Sequence, residues 1–336
     1  MANVTIQDIA REAGVSKATV SRVLNNPHIV DLDTRDRVEK VIKKRHYTPS
    51  ASARNLSRRT TDTIGFVVPE IDNPFFCDIL RAVSNAIDDF QFTLICCNTD
   101  DSMDKDLRAL EMLKEHRVKG LLYTPAVDYR TEEERTYLMK ILREMETPVV
   151  IMDRRLSVSD FDGVYFNDYQ GMYNATKALI EQGHTKIAII NATLDRVLAR
   201  TRKDGYRDAL RDFGIEPEER YNMEGNYRMT KAYELSKGLL AMEDRPTAVI
   251  TCNNNTTMGF FKALRERGEQ APRDIANIGL DVIKELDVIG YKMNFIERDP
   301  KLMGRRAFEL LLRRIKDEKK PVKEVMLDTK LRFYDT

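Results

Sequence analysis

The side chains best suited to chemistry in this chain gather near its start. Lys17, Ala18, Ser21, Arg22 and Asn25 fall on one stripe of a short helical pattern, all of them small, polar or basic, while Val20, Val23 and Leu24 form the opposite stripe. A helix that enters a DNA major groove requires that division. It needs donors and acceptors near its N-terminus and small residues where the bases approach. Arg22 carries the donor fork that can hold guanine O6 and N7 together, a contact worth about 1–3 kcal/mol of discrimination. An ordinary amphipathic helix pair would show the same two stripes, so the elements around them decide the reading.

Those elements are a helix, a tight turn and a second helix. Thr5 followed by Asp8 reads as a capping box, Ile6, Ile9, Ala10 and Ala13 keep helical spacing, and Gly14 ends the run. Ser16 caps a second helix that continues to Asn25, where Asn26-Pro27 stops it. This is the helix-turn-helix pattern. Thr5 and Ser16, at the two helix starts, join the stripe as candidate DNA contacts. A third helix, about Thr34 to Arg45, turns Val38, Val41 and Ile42 inward. The charge agrees: residues 1–60 hold 12 Lys/Arg against 6 Asp/Glu, a net of +6, and residues 61–336 hold 43 against 48, a net of −5. A basic head on a mildly acidic body is a footprint for nucleic acid.

Other chemistries find no support. The sequence has no Gly-x-Gly-x-x-Gly, phosphate loop, His-Glu-x-x-His or nucleophile elbow. His28, His46, His116 and His184 are scattered without metal-ligand spacing, and His184 suits the capping of a helix end. Cys77, Cys96, Cys97 and Cys252 show no Cys-x-x-Cys and read as free thiols, so neither a cofactor nor a metal is expected. No run approaches the ~18 apolar residues of a membrane span. The start, Ala2-Asn3-Val4-Thr5-Ile6-Gln7-Asp8, lacks a signal segment, so a cytoplasmic location is expected.

From Thr63 onward apolar strands alternate with amphipathic helices. Ile64–Val68, Phe92–Cys97, Gly120–Tyr123 and Pro148–Met152 form one set; Val164–Phe166, Lys186–Ile190, Ala248–Thr251 and Asn277–Leu280 form a second. Continuous apolar strands between such helices predict parallel sheets covered on both faces. So many units would crowd one open sheet, which predicts two lobes with a ligand cleft at the carboxyl ends of their strands.

Particular motifs sharpen this. Val4-Thr5-Ile6, Asp8-Ile9-Ala10, Ala13-Gly14-Val15-Ser16, the run Thr19 to Asn25 and the Tyr47/Pro49/Ala53/Leu56 segment resemble the lactose-repressor/galactose-repressor family of bacterial transcription regulators. So do Asp72-Asn73-Pro74-Phe75-Phe76, Gly183-His184-Thr185-Lys186, Arg202-Lys203-Asp204-Gly205-Tyr206 and Ile278-Gly279-Leu280-Asp281 in the body. The resemblance implies a small all-α helix-turn-helix head on an α/β, two-lobed, periplasmic-binding-protein-like body, with two parallel-sheet lobes and three crossovers. The expected divisions are a head at 1–48, a hinge at 49–61 and a body at 62–336. Within the body a first lobe would take 62–160 and 291–320, and a second 161–290 and 321–336, with crossings near 160, 290 and 320.

The resemblance also implies roles. Leu56, with Ala53 beside it, would belong to a hinge helix that folds on operator DNA and wedges into the minor groove. Phe75, Phe76 and Tyr227 match aromatic positions lining the cleft. Arg196 and Arg202 match arginines that grip a ligand, and Asp153, Asn254 and Asp281 match polar cleft positions. Each has a duller alternative, the phenylalanines as core and the arginines as salt-bridge partners. Three departures stand out: Asn253-Asn254 where relatives carry Asn-Asp, Phe166 where an Asp often stands, and Asn294-Phe295-Ile296-Glu297-Arg298 in place of a Thr-Thr-Val type segment. The lost carboxylates point away from a neutral hexose and toward an acidic or phosphorylated, carbohydrate-derived effector. The expected assembly is a homodimer on pseudo-palindromic double-stranded operator DNA, and a dimer rather than a tetramer because no leucine heptads follow the last strand, read as Glu324 to Tyr334. The rival readings are an enzyme on the same α/β body, which should turn over a substrate without DNA, and a sugar-binding transport protein, which would carry an export signal.

Overall fold

The computed structural model describes residues 4–47, 61–156, 160–194, 196–288 and 290–334, apart from the side chains of Asn25 and Asp287. Ala53, Leu56 and the rest of the expected hinge up to residue 60 lie outside the described residues. The chain divides into two compact units, Met1–Thr61 and Asp62–Thr336.

In the first unit, α1 (Ile6–Ala13), α2 (Lys17–Asn25) and α3 (Leu32–Lys44) close a small core of Ile9, Ala10, Ala13, Val20, Val23 and Val38. Local chemistry sets each boundary. The Thr5 and Asp8 side chains each accept from the other's backbone N–H. Gly14 takes φ 63°, the left-handed conformation that lets the chain turn within two residues. The Ser16 hydroxyl accepts from Thr19 N–H at 3.1 Å. Glu12 on α1 accepts from Lys44 and Arg45 at 2.8 and 2.6 Å, tying α1 to the end of α3.

The second unit holds two six-stranded sheets. The first contains β1 (Thr63–Val68), β2 (Thr93–Asn98), β3 (Gly120–Tyr123), β4 (Val149–Met152), β5 (Asp162–Phe166) and β11 (Glu324–Leu327), in the order β11-β5-β4-β3-β1-β2 and wholly parallel. The second contains β6 (Ile187–Asn191), β7 (Asn222–Glu224), β8 (Ala248–Thr251), β9 (Ala276–Leu280), β10 (Asn294–Glu297) and β12 (Lys330–Arg332), in the order β12-β10-β9-β8-β6-β7. It is parallel except at β12, which runs antiparallel to β10. Helices α4 (Pro74–Asp88), α5 (Met103–Glu115), α6 (Glu132–Glu144) and α12 (Pro300–Lys316) cover the first sheet. Helices α7 (Asp168–Glu181), α8 (Val197–Asp212), α9 (Met229–Leu240) and α10 (Asn254–Glu266) cover the second. α11 (Lys284–Val288) follows β9.

All three crossings lie later than the sequence suggested. β5 belongs to the first sheet, where Val150 pairs with Asp162, so the chain crosses after Phe166 rather than near 160. β10 belongs to the second sheet, where Asn294 pairs with Ile278, so the return follows Glu297 rather than 290. The final strand is two strands, β11 in the first sheet and β12 in the second, and the last crossing runs between Leu327 and Lys330 rather than at 320. Apolar alternation marks a strand without marking its sheet. Here polar anchors decide: buried Asp162 accepts from Arg314 of α12 and from the Lys323 N–H, which pins β11 beside β5.

At the α7–α8 contact the backbones approach closely. A Cβ at Gly205 would collide with the Tyr169 carbonyl oxygen, so only glycine fits.

Candidate functional site

In the head, the turn and the caps aim α2 so that one face packs and the other meets solvent. Val20 and Val23 are buried. Ser16, Lys17, Ala18 and Arg22 are exposed, Thr5 is exposed at the start of α1, and Ser21 is half-buried. Asn25 closes the helix backbone. Seven of the sequence-predicted DNA contacts therefore lie on these two helices or their caps, and four of the α2 group reach water. Basic and hydroxyl side chains with one small residue between them suit phosphate and base-edge contacts.

In the body, the site is built where the sheets' carboxyl ends face each other. Asp153 directly follows β4 and Asp281 directly follows β9. Both adopt left-handed backbone, φ 61° and 69°, a conformation that aspartate tolerates better than most residues. Their N–H groups still complete the ladders, donating to Val164 and Ile296 carbonyls at 3.0 and 2.9 Å. The two carboxylates thus hold matching positions in the two lobes.

Between them lies Arg298, which immediately follows β10. Its Nε and Nη2 donate to the two oxygens of Asp281 at 2.8 and 2.5 Å, and its Nη1 donates to Asp153 at 3.2 Å. The guanidinium carbon sits 4.0 Å from the centre of the Phe75 ring and 5.3 Å from that of Phe166. Burial raises Asp153 above the usual carboxylate range, and the facing Arg298 offsets this only in part. No site role was assigned to Arg298 from sequence. The signal was present, because Phe166 and the segment ending at Arg298 were both departures from the family pattern, and the structure brings the two together.

A second guanidinium, Arg202 of α8, is held wholly inside the second lobe. It donates to Asp168 at 2.8 Å, to the Cys252 carbonyl at 2.9 Å and to the Tyr227 hydroxyl at 3.2 Å. The Tyr227 hydroxyl in turn donates to Asn191 at 3.1 Å. Burial pushes the Tyr227 phenol and the Cys252 thiol each up to about 12. Farther out, Arg154 of the first lobe pairs with Asp101 at 2.6 Å, and Arg196 of the second reaches the same carboxylate at 3.4 Å. Burial raises Asp101, but Arg154 and Arg196 outweigh it and leave the group below the usual range. Arg228 meets Glu70 at 2.9 Å, the Val197 N–H donates to Asp128 at 2.5 Å, and Lys284 meets Asp78 at 3.1 Å, all between lobes.

Two cavities flank this buried centre. One, of about 380 Å³, is lined by Phe75, Asp78, Asn254, Asp281, Lys284 and Arg298 among others. Asn254 lines it too, although its Oδ1 is buried in protein and accepts no hydrogen bond. The other, of about 460 Å³, is lined by Asp100, Asp101, Asp128, Thr193, Arg196 and Arg228 among others. Phe75, Asn254 and Asp281 thus meet at the first cavity and Arg196 at the second. Asp153, Arg202 and Tyr227 form the centre. Phe76 does not join them. The Phe75 and Phe76 rings both belong to the first-lobe core and lie 5.1 Å apart, but only Phe75 also lines one of the two cavities.

Comparisons with known proteins agree with this geometry. Residues 5–50 match the bacterial regulatory proteins of the lacI family, and residues 61–334 match the periplasmic binding proteins and sugar binding domain of the LacI family. The HTH-type transcriptional repressor PurR of Vibrio atlanticus is 38% identical over 94% of this chain and 92% of its own length. The PurR of Mannheimia succiniciproducens is 36% identical over 96% and 95%. Among solved structures, the transcriptional regulator CelR in complex with cellobiose matches at a TM-score of 0.72 and 28% identity, covering 98% of this chain and 99% of that one. The fold of a lac repressor dimer bound to operator and the anti-inducer ONPF matches at 0.82 and 23% identity, covering 98% of each chain. No helix among the described residues is long and apolar enough to cross a membrane.

Proposed function

We propose, because this chain belongs to the LacI family of bacterial regulatory proteins and is a ligand-controlled, DNA-binding transcription regulator, that it represses transcription by seating α2 in an operator major groove. The observation that carries this reading is the solvent-facing stripe of Lys17, Ala18 and Arg22 on a helix whose other face is buried. Arg22 reads a base edge, while Lys17 and the Thr5, Ser16 and Ser21 hydroxyls hold phosphates, with Asn25 at the end of the same stripe. Two heads of a homodimer read a pseudo-palindrome, and Leu56, with Ala53 beside it, supplies the minor-groove wedge. The protein works in the cytoplasm, where its operator lies.

The effector is a small polar ring compound, carbohydrate-derived, taken between the lobes against Phe75, Asn254 and Asp281. Arg196 closes the opposite end of the cleft, and Asp153, Arg202 and Tyr227 hold the floor. Regulation rather than catalysis suits this floor: its charges are committed to one another, and its buried thiol is held far from reactive.

The test is selection of duplexes from a random pool, followed by titration of the selected duplex at several salt concentrations with candidate sugars and sugar acids. A selected palindrome whose affinity falls with salt and shifts with one effector supports the reading. Selection of no duplex at any salt refutes it.

A further inference from the structure

We infer that the buried half of the cleft is a guanidinium site, and that this chain fills it in cis with Arg298. The inference rests on reading the cleft as the effector site. Everything that recognises a free guanidinium is present. Phe75 and Phe166 offer ring faces at 4.0 and 5.3 Å. Asp281 takes the fork with both oxygens, the geometry specific to arginine among cations, and Asp153 takes the third donor. Side-chain exposure at Arg298, Asp153 and Asp281 is 4%, 5% and 10%, so water does not compete for these bonds.

The charge requires an occupant. Asp153, Asp168 and Asp281 converge here, with Arg202 and Arg298 as the buried cations at the centre. Without Arg298, buried Asp281 would lose the donors to both of its oxygens and buried Asp153 its hydrogen-bonded cation, which low-dielectric surroundings do not sustain. The occupant also joins the lobes. Asp153 and Phe75 belong to the first lobe and Asp281 to the second, so the bonds of Arg298 latch the two lobes to each other. Each Asp281 oxygen already accepts one bond from Arg298, while the residue also lines the adjacent cavity. The space left to an effector beside the latch is the 380 Å³ cavity, which Asn254 also lines.

The test is chemical rescue of the full-length protein. The variant R298A should melt lower than the parent, and ethylguanidinium, which restores the deleted atoms, should raise its melting temperature by about 3 °C once its concentration exceeds its dissociation constant about fivefold. Ethylammonium at equal ionic strength should not, and the parent should respond to neither. No rise in R298A, or an equal rise with the ammonium or in the parent, overturns the inference. If R298A does not fold, R298M keeps the bulk over Phe75 without the donors. Its effector-free radius of gyration should exceed that of the parent, and an unchanged radius overturns the latch. Duplex selection with the parent runs alongside: failure there removes the regulator reading, while the guanidinium response still decides this one.

Discussion

Replacing Asp168 by asparagine keeps the shape of the side chain and removes one charge from a pair that water does not reach. Arg202 and Asp168 are 3% and 2% exposed, bonded at 2.8 Å. Removing one partner of such a pair costs about 3–5 kcal/mol, because the other charge stays buried without its counter-ion. Two features place D168N near the low end. The amide oxygen can still accept from Arg202, and the Cys252 carbonyl and Tyr227 hydroxyl remain as partners. A loss of about 3 kcal/mol lowers the melting temperature of a domain this size by roughly 6–12 °C. Calorimetry reads the shift, and urea unfolding at an unchanged slope confirms that stability, not compactness, has moved. Pairing D168L with R202M should cost less than the two single changes added together, since no buried charge is then stranded. A D168N protein that melts with the parent would show that this pair does not hold the second lobe, and the magnitude argument would fail with it.

Four further outcomes follow from the same coordinates. R22A should lose about 1–3 kcal/mol of preference for one base pair, roughly 5- to 150-fold in affinity ratio across duplex variants, while its salt slope changes little. L56A should bind the selected duplex more weakly and bend it less, read by energy transfer between the duplex ends; unchanged bending removes the wedge. G205A forces a methyl against the Tyr169 carbonyl and should cost about 1–3 kcal/mol in urea unfolding. Asp101 has a depressed carboxyl pKa in the folded protein, so its stabilising contribution is present above its ordinary value of 3.8 and is lost as pH falls through the lower folded value; the stability gap between the parent and D101N should be constant near neutrality and close in that acid window.

The head was readable from sequence because its signals are local. The Thr5 and Ser16 caps, Gly14 and the valine stripe all act within a few residues of themselves, and the helices end where these residues say. Most strands of the body were readable too, though β7 and β10 were not read and β11 and β12 were read as one, and sheet membership was not legible. Whether Val164–Phe166 pairs with β4 or opens a new sheet depends on partners far along the chain, such as Arg314 with Asp162. The same limit governs the cleft. Arg202 and Asp281 could be matched by position, yet that Arg298 would occupy Asp281 depends on a left-handed turn, a ring from α4 and a strand end meeting in space. Phe75 and Phe76 could not be told apart by sequence, since both rings pack in the first-lobe core and only the position of a cavity beside Phe75 separates them.

The three chain passages between lobes all join strands on one side of the two sheets, β5, β10, β11 and β12, while β2 and β7 are the far edges. β2 stands four interstrand steps from β5, or about 19 Å at ~4.8 Å each. A lobe rotation of about 15° would therefore move the far rim by roughly 5 Å, enough to part its ion pairs. Those pairs are Arg196 with Asp101 and Arg228 with Glu70, whereas Arg298 sits next to the axle and travels little. Any rotation of the lobes therefore acts with its longest arm on the rim pairs, which part by ångströms while the bonds of Arg298 need only shift slightly.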